Sequence, residues 1–497
     1  MNKLIYLNVF GFFWRLKLSF LFFILLGLFS CEKEKPPPVL GREPVRNTLV
    51  VEDHSQAFAQ WAEQGIHNAV LINIDTHDDI RSIPEEKLAL LEDLYRRRDW
   101  KGFADADSVA DDGLYHIGNW IYAGARLSMF KEVYWVIPNN FFSQRDTEEQ
   151  LRRFLRSVMF SDKDIQTFLF ENNRFHGSVN GIPFTVCGLE SLPDINSPVL
   201  LSIDADFFPV YSDEHRAIYL TALKEMFDAL SEKHYHIQGA AISYSVNGDY
   251  LQPHLRWVGN TAAMILEKPD LLKGPPPEVL ALLQQIDNEY RGVNPDEILR
   301  LIQLYTPQFK EPSLLLYKAY AYMLKGESEK AFDAAMAACN ADKLYCTGLS
   351  HLGSLYFVKG QCGEAERFFR AGFSAVPDMR NGLYHFAHCL RDLGRPAEAL
   401  EYYKKDVMLN GSFPTDFLIF ETYLKSGRKQ EAETALKTAV SGLERNPYAE
   451  VVNERAASAI YTAIEYADQG GLIELTEKLR SNSTIRQMFR DYPRGKL

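Results

Sequence analysis

The fold of this chain is decided by residues 69–79, which read Ala-Val-Leu-Ile-Asn-Ile-Asp-Thr-His-Asp-Asp. The first six of these residues are mostly apolar, which predicts a buried β-strand. The following residues are polar, and Asp75, His77 and Asp79 are spaced two apart. Because residues two apart in an extended segment point to the same side, we expect these three side chains to converge at the end of the strand.

Two further predicted strands end in the same way. Residues 47–51 lead into Glu-Asp-His-Ser at 52–55, and residues 199–203 lead into Asp-Ala-Asp-Phe-Phe at 204–208. Open α/β sheets place their ligand crevice just past the carboxyl ends of their strands. The three polar segments are therefore predicted to meet at one edge of a sheet.

Short apolar runs alternate with amphipathic helical stretches over residues 45–269, which is typical of an α/β layer fold around a mainly parallel sheet. The predicted strands are 47–51, 69–74, 133–137, 184–187, 199–203 and 237–244, and the predicted helices are 55–65, 88–97, 120–129, 148–159 and 216–232.

The polar residues at these strand ends predict a metal site. Carboxylates and imidazoles that face one another repel and resist burial unless a cation lies between them. A pair of metal ions is the simplest such cation, since bridging Asp residues hold two ions about 3.5–4 Å apart. Mixed carboxylate and imidazole ligands without a thiolate favour Mn²⁺, Fe²⁺ or Zn²⁺ over a structural zinc. Taken singly, a histidine such as His54 is more often a hydrogen-bonded surface or core residue than a ligand, and an aspartate such as Asp79 is often a helix cap.

Length and composition restrict the class of protein. A chain of 497 residues is expected to form two or three cores. The content of 46% hydrophobic and 24% charged residues is globular and excludes a disordered or fibrous chain. The formal net charge of -12 disfavours a nucleic-acid partner and suits cation binding.

The first residues indicate the compartment. Basic residues at Lys3, Arg15 and Lys17 precede an apolar segment, 18–28, which ends shortly before Cys31. This segment resembles a bacterial lipoprotein signal, which implies a signal peptide at 1–30 and lipid attachment at Cys31. The alternative is an uncleaved anchor, and both predict a body in the cell envelope, outside the cytoplasm. Residues 31–44 read as a charged, proline-stiffened tether.

The strand-end motifs also resemble a known superfamily. The D-x-H-x-D of Asp75, His77 and Asp79 and the S-x-D-x-D of residues 202–206 are similar to motifs of the arginase, agmatinase and deacetylase superfamily. Within it, the chain resembles the uncharacterised UPF0489 family over residues 45–269. The segments that carry this closer resemblance are 51–54, 74–80, 117–120 and 203–208.

The resemblance implies an arginase-like three-layer domain with a dinuclear site. One ion would be held by His54, Asp75, Asp79 and Asp204, and the other by Asp75, His77, Asp204 and Asp206. The resemblance further implies two divalent ions, with Mn²⁺ preferred over Fe²⁺ or Zn²⁺, and a bridging hydroxide that attacks a guanidino, amidino or amide carbon of a small-molecule substrate.

Other site assignments are less direct. His116 is the candidate for the family's proton-shuttling histidine. Phe207-Phe208-Pro209 stands where ureohydrolases carry an Asp-Pro pair, so the substrate wall is expected to differ. Glu52 and Glu190 are read either as partners of the ligands or as surface residues.

The second half of the chain is repetitive. After a predicted linker at 270–278, glycine recurs at 326, 360, 394 and 427, at spacings of 34, 34 and 33, and alanine recurs at 331, 365, 399 and 432. This register resembles tetratricopeptide repeats and predicts four helical hairpins over about 313–446 within an all-α region, 279–497. Residues 279–305 and 449–488 read as flanking caps or degenerate repeats.

Stacked hairpins of this kind offer a surface for a protein or peptide. One hypothesis for the whole chain is therefore an envelope-anchored dinuclear metallohydrolase whose repeats dock a partner. The alternative is a non-enzymatic lipoprotein scaffold in which the metal site is structural and the repeats do the binding. Cys339 and Cys346 are read as small packing residues in preference to a bridge, although an oxidising envelope leaves their pairing open.

Overall fold

The computed structural model describes residues 37–46, 48–110, 112–143, 146–158, 160–305, 310–411, 413–445, 454–470, 472–482 and 485–486. Cys31 and the predicted signal peptide lie outside these residues. The described residues from 38 onward belong to one compact unit. Within the described part of the chain, no helix has both the length and the apolar character that crossing a membrane requires.

An eight-stranded mixed sheet forms the centre of the described residues before 269. The strands are β1 (Leu49–Val51), β2 (Ala69–Ile74), β3 (Phe130–Val136), β4 (Leu169–Glu171), β5 (Arg174–Val179), β6 (Ile182–Cys187), β7 (Val199–Asp204) and β8 (Ile237–Ser243). They lie in the order β1-β8-β7-β2-β3-β6-β5-β4. The pairs from β1 to β6 in this order are parallel, and β5 pairs antiparallel with both β4 and β6.

β2 is buried on both faces of the sheet, which explains why all its residues except Asn73 are apolar. Val70, Ile72 and Ile74 belong to the hydrophobic core on one face, and Ala69 and Leu71 belong to the core on the other. The helices of this region are α1 (His54–Glu63), α2 (Glu85–Arg97), α3 (Trp100–Asp105), α4 (Trp120–Arg126), α5 (Thr147–Ser157), α6 (Asp162–Thr167), α7 (Phe207–His215), α8 (Tyr219–Glu232) and α9 (Arg256–Glu267).

Several predicted boundaries are wrong for local steric reasons. The helix predicted from residue 216 begins at Tyr219, because Arg216 has a left-handed backbone with φ of 54° and ends α7 instead. The helix predicted to reach residue 129 ends at Arg126, because Ser128 is also left-handed, with φ of 58°. Such a conformation interrupts a right-handed helix.

Paired helices fill the region after residue 277. They are α10 (Glu278–Arg291), α11 (Pro295–Tyr305), α12 (Pro312–Leu324), α13 (Ser328–Ala341), α14 (Thr347–Val358), α15 (Cys362–Ala375), α16 (Leu383–Asp392), α17 (Pro396–Asn410), α18 (Phe413–Lys425), α19 (Lys429–Arg445), α20 (Glu454–Gln469) and α21 (Ile473–Ser481). The four predicted hairpins are α12/α13, α14/α15, α16/α17 and α18/α19.

The repeated glycines and alanines have the predicted roles. Gly326, Gly360, Gly394 and Gly427 lie in the turns between paired helices with φ of 73° to 77°, a conformation that only glycine adopts without strain. The alanines at 331, 365, 399 and 432 are fully buried where the two helices of each hairpin meet. The spacing of 33 or 34 residues in the sequence therefore corresponds to the repeat of helix packing in the structure.

The interpretation of Cys339 and Cys346 as unbridged packing residues is wrong. A disulfide joins them, across the short connection from α13 to α14. Both side chains are also buried, which is what a packing residue would show and why sequence alone does not separate the two cases.

The helical region and the sheet share a core. Leu283 and Ile286 of α10 and Tyr317 of α12 belong to the same hydrophobic cluster as Ile72 and Ile203 of the sheet. The first helices after residue 277 therefore pack directly against the α/β region.

Candidate metal centre

Sheet register brings the polar strand ends together. Ile74 of β2 pairs with Ile203 of β7, so Asp75 and Asp204 emerge side by side at the same edge. Asp204 in turn pairs with Ser243 of β8, and Ser243 pairs with Val51 of β1. The segments that follow β1, β2, β7 and β8 thus meet above one stretch of the sheet.

His54 lies at the centre of this cluster. It is the first residue of α1 and is completely buried. Its Nδ1 atom is 2.6 Å from the hydroxyl oxygen of Ser202, and its Nε2 atom is 2.7 Å from Oδ2 of Asp204. Oδ2 of Asp75 lies 3.5 Å from the same Nε2 atom. The ring also stacks on Trp120, with 5.7 Å between ring centroids.

His77 lies closer to solvent, with 36% of its side chain exposed. Its Nδ1 atom is 3.0 Å from Oδ2 of Asp206 and 3.6 Å from Oδ1 of Asp75. The edge of the Tyr250 ring packs against it at 4.8 Å between centroids. His77 therefore borders the opening of the cluster, whereas His54 is at its base.

Two groups of possible ligand atoms share one carboxylate. His54, Asp75 and Asp79 form the first group, and Asp75, His77 and Asp206 form the second. Within each group, the ligand atoms lie within 4.8 Å of one another. Asp204 contacts the first group through His54. The structure thus gathers all six residues that the sequence predicted as ligands.

The carboxylates are oriented by donors that sequence reasoning did not assign to the site. Trp120 donates from Nε1 to Oδ2 of Asp79 at 2.9 Å, and Ser245 donates from Oγ to Oδ2 of Asp204 at 2.5 Å. Asn73 donates from Nδ2 to Oδ2 of Asp75 at 3.2 Å. Asn73 had a signal, since it is a polar residue inside an otherwise apolar strand.

The carboxylate and imidazole groups of the cluster fit a divalent cation. Asp206 is 4% exposed, and its Oδ1 atom is buried without a hydrogen-bond donor among the described residues. A buried carboxylate oxygen that lacks a donor is costly, and a cation is the partner that would satisfy it. Carboxylate and imidazole ligands without thiolate suit Mn²⁺, Fe²⁺ or Zn²⁺.

The protonation of the cluster shows its excess of negative charge. Burial acts to lower the pKa of His54, but the charges of Asp204, Asp75 and Asp79 and the hydrogen bond with Asp204 together raise it to about 10. Burial and the nearby Asp75 raise the pKa of Asp79 well above its ordinary value. Burial and Asp206 likewise raise the pKa of Asp204. The cluster therefore retains protons that a bound cation would replace.

A small cleft of about 80 Å³ opens onto the cluster. The residues that line it are Asp75, Thr76, His77, Asp78, Asp79, Arg81, Ile117, Gly118, Val158, Asp204, Ser245 and Tyr250. Arg81 forms an ion pair with Asp78 at 3.0 Å and donates to the carbonyl oxygen of Val158 at 2.6 Å. The cleft is thus strongly acidic, with one arginine on its wall.

His116 lies beside the cleft and not among the residues that line it. Its Nδ1 atom accepts a hydrogen bond from the backbone of Gly118 at 3.1 Å. Burial, with the nearby Lys87 and Arg380, lowers the pKa of His116 to about 4. His116 is therefore neutral at pH 7, and because Nδ1 accepts a hydrogen bond, its proton is on Nε2.

Of the two glutamates considered as partners of the ligands, Glu52 lies next to the site and Glu190 does not. Glu52 accepts a hydrogen bond from the backbone of Asn247 at 2.5 Å and pairs with the buried Arg256 at 2.9 Å. It supports the loops around the site. Glu190 is exposed, after β6, and is not part of the cluster.

Comparison with known protein families identifies one of the repeats. Residues 381–411 match the tetratricopeptide repeat family model, so the chain carries a tetratricopeptide repeat there. No curated protein matches the chain.

Solved structures that are similar to part of the chain include the following three. A crystal structure of MamA is 18% identical, covers 33% of this chain and 96% of its own, and has a TM-score of 0.27. MamA 41-end from Desulfovibrio magneticus RS-1 is 15% identical over 33% of this chain and 94% of its own, at 0.26. PilF of Pseudomonas aeruginosa is 15% identical over 42% of this chain and 96% of its own, at 0.28. At these TM-scores the similarities carry no argument about function.

Proposed function

We propose that this chain is a divalent-metal-dependent hydrolase that cleaves a C–N bond of a small guanidino, amidino or amide compound. The convergence of His54, Asp75, His77, Asp79, Asp204 and Asp206 into one buried cluster is the observation that supports it most. Two groups of ligand atoms that share Asp75 suit two ions, for which Mn²⁺ is the first candidate. The proposed kinship with the UPF0489 and arginase-like proteins agrees with this chemistry.

When bound, the ions would supply Lewis-acid activation of water. The chain itself would orient the reactants. Ser202 fixes the ring of His54 through Nδ1, so that Nε2 faces Asp204 and Asp75. Trp120 and Ser245 fix the carboxylates of Asp79 and Asp204. Because partners of this kind orient a ligand and tune its basicity, they are expected to influence metal affinity strongly.

The opening of the cleft suits a cationic substrate. Two bound divalent ions would balance the four ligand carboxylates, and Asp78 is paired with Arg81, so the attraction would come from side chains at the opening. Tyr250 borders the opening and is 45% exposed, so a cation could stack on its ring. His116 could donate a hydrogen bond from Nε2 and, being neutral, would not act as a strong proton donor at pH 7.

Hydrolysis of a panel of compounds tests the proposal. The full chain, loaded with Mn²⁺, is incubated with guanidino, amidino and acyl-amine compounds, and release of urea, ammonia or amine is measured. Asp204→Asn is expected to abolish both metal binding and turnover. Asp194→Asn is the matched control, because Asp194 is an exposed carboxylate paired with Lys233. Turnover that survives Asp204→Asn would overturn the proposal.

A second function, recognition without turnover, is supported by the surroundings of the cluster. Among the described residues that line the cleft, the carboxylate outside the predicted ligand set is Asp78, which is paired with Arg81. A retained metal site can serve binding alone. This function predicts that Asp204→Asn lowers the melting temperature and that no compound of the panel is hydrolysed by the metal-loaded protein.

The repeats and the location complete the proposal. Tetratricopeptide repeats are protein-binding modules, and we infer that this region docks a protein or peptide. We further propose that the chain is held by a lipid on Cys31 in a bacterial cell envelope. The disulfide between Cys339 and Cys346 supports an oxidising compartment, since such bonds are rare in the cytosol.

A further inference from the structure

Residues 245–252, named here the site segment, connect β8 to the helical turn at 253–255. Ser245 of this segment donates to Asp204, and Tyr250 packs on His77 and lines the cleft. Ser245 and Asp249 both have left-handed backbones, with φ of 52° and 70°. Non-glycine residues hold this conformation only where their surroundings determine it.

The segment is held from two sides: Glu52 accepts from the backbone N–H groups of Ser245 and Asn247, and the repeats supply further contacts. Residues 376–382, named here the repeat loop, connect α15 to α16. The backbone N–H of Arg380 donates to Oδ1 of Asn247 at 2.9 Å, and Nδ2 of Asn381 donates to Oδ1 of Asp249 at 2.6 Å. The repeat loop thus holds the site segment at two neighbouring points.

Arg380 holds a second part of the site. Its Nη2 atom lies 2.8 Å and 2.6 Å from the two carboxylate oxygens of Asp53. Asp53 is the residue immediately before His54 and precedes the first turn of α1. Both side chains of this ion pair are about 15% exposed, so water screens it weakly. Arg380 therefore contacts both the residue that precedes His54 and the segment that carries Ser245.

The repeat loop is itself anchored by the helical array. The hydroxyl of Ser350 in α14 donates to the carbonyl oxygen of Asn381 at 2.6 Å, and Nδ2 of Asn410 in α17 donates to that of Arg380 at 3.2 Å. Contacts therefore run from two neighbouring hairpins, through the repeat loop, to the cluster.

We propose that Arg380 and Asn381 are positioning residues of the candidate metal centre, so that the repeats complete the site as well as binding a partner. This inference rests on the proposed metal site. It implies that a protein bound near α14, α16 or α17 could change the geometry of the cluster by moving the repeat loop. Arg380 acts through Asp53 and Asn247, because its own contacts do not reach the ligand atoms.

Hydrogen exchange and Mn²⁺ titration of the full chain test this inference, with Arg380→Ala and Asn381→Ala compared with Arg395→Ala. Arg395 pairs with Glu366 and Glu398 inside the repeats, so its loss costs ion pairs without touching the site. Asn381→Ala removes the hydrogen bond to Asp249, and we expect the amides of residues 245–251 to exchange roughly 10-fold faster in it. Arg380→Ala removes the ion pair with Asp53 and keeps the backbone hydrogen bond to Asn247, and we expect the Kd for Mn²⁺ to rise about 10-fold in it. Arg395→Ala should change neither.

The outcomes separate the two proposals. The positioning role would be overturned if exchange in Asn381→Ala and affinity in Arg380→Ala both equalled those of Arg395→Ala. If the wild-type chain binds no Mn²⁺, the metal site fails, and exchange in Asn381→Ala alone decides whether the repeat loop positions the site segment. Should Arg380→Ala not fold, Asn247→Ala replaces it, since it removes one tether and leaves the ion pair; unchanged exchange in that variant would also overturn the inference.

A double variant tests the ion pair itself. Asp53→Asn and Arg380→Ala together should weaken Mn²⁺ binding by less than the sum of their separate effects, because both changes remove the same ion pair.

Discussion

His54 and Asp204 lie 150 residues apart in the sequence and form a buried contact of 2.7 Å between Nε2 and Oδ2. The other nitrogen of the ring is 2.6 Å from Ser202, two residues before Asp204 on β7. β7 therefore holds both sides of the His54 ring. In our proposal, Nε2 carries a proton in the metal-free protein and loses that proton when it binds a metal ion.

Stability of the metal-free protein should fall as the pH rises. The pKa of His54 is raised to about 10, mainly by Asp204 against the opposing effect of burial, and the pKa values of Asp79 and Asp204 are raised by burial and by neighbouring carboxylates. A pKa that is higher in the folded state stabilises the fold below the unfolded pKa, and this stability is lost as the pH rises through the folded pKa. For His54 the loss falls between about pH 6.5 and 10.

Denaturant unfolding in chelator over this pH range measures the effect. Excess Mn²⁺ is expected to remove most of the decline, because a cation replaces the protons that the cluster loses. A free energy of unfolding that rises with pH in chelator would contradict the proposed electrostatics.

Asp79→Asn should act in opposite directions with and without metal. The amide oxygen can still accept the hydrogen bond from Trp120, while the cost of burying a titratable carboxyl group beside Asp75 disappears. In chelator, the variant should be more stable by on the order of 1 kcal/mol. With Mn²⁺ 100-fold above its Kd, the wild type should gain about 2.7 kcal/mol and the variant far less. Thermal and denaturant unfolding in both buffers check this, and equal gains in the two proteins would exclude Asp79 as a ligand.

Two glycines of the repeats should respond oppositely to alanine. Gly394 has φ of 77° in the turn between α16 and α17, so Gly394→Ala should cost about 1–2 kcal/mol through backbone strain alone. Gly363 lies in the first turn of α15 with open space around it, so Gly363→Ala should stabilise by about 0.5–1 kcal/mol. Urea unfolding measures both, and a shared sign would argue against the hairpin geometry.

Reduction of the disulfide between Cys339 and Cys346 should destabilise the repeats. Closing this short loop restricts the unfolded chain, so its reduction should cost about 2 kcal/mol. Unfolding is compared with and without reductant, and Cys362→Ser serves as the control because Cys362 is unbridged. Rapid labelling of Cys339 in the unfolded, unreduced protein would show that the bond does not form.

The strand ends that carry the site could be predicted from the sequence. β2 has the predicted limits, 69–74, because a strand buried on both faces is apolar over nearly its whole length, here with the exception of Asn73. The parallel register then places Asp75 beside Asp204 without further assumption. The antiparallel β4–β5 hairpin was missed, although the pair Asn172 and Asn173 between the strands was a usable signal. Both residues have positive φ, which is the conformation of a tight hairpin turn.

The contacts between regions could not be predicted. Arg380 and Asp53 are 327 residues apart, and nothing in the repeat pattern distinguishes Arg380 from other surface arginines. Their pairing depends on how the helical array packs against the sheet, which is set by many apolar contacts at once. Ser245 likewise had no signal, because its role follows from the turn of the site segment.

Metal stoichiometry of the full chain tests the central claim most directly. The protein is purified without chelator, dialysed against excess Mn²⁺ and then against metal-free buffer, and analysed by plasma mass spectrometry together with Asp206→Asn. The proposed centre predicts about two equivalents of metal in the wild type and a clear loss in the variant. Less than about half an equivalent in the wild type would contradict the account, because a cluster built to hold two divalent ions would then hold none.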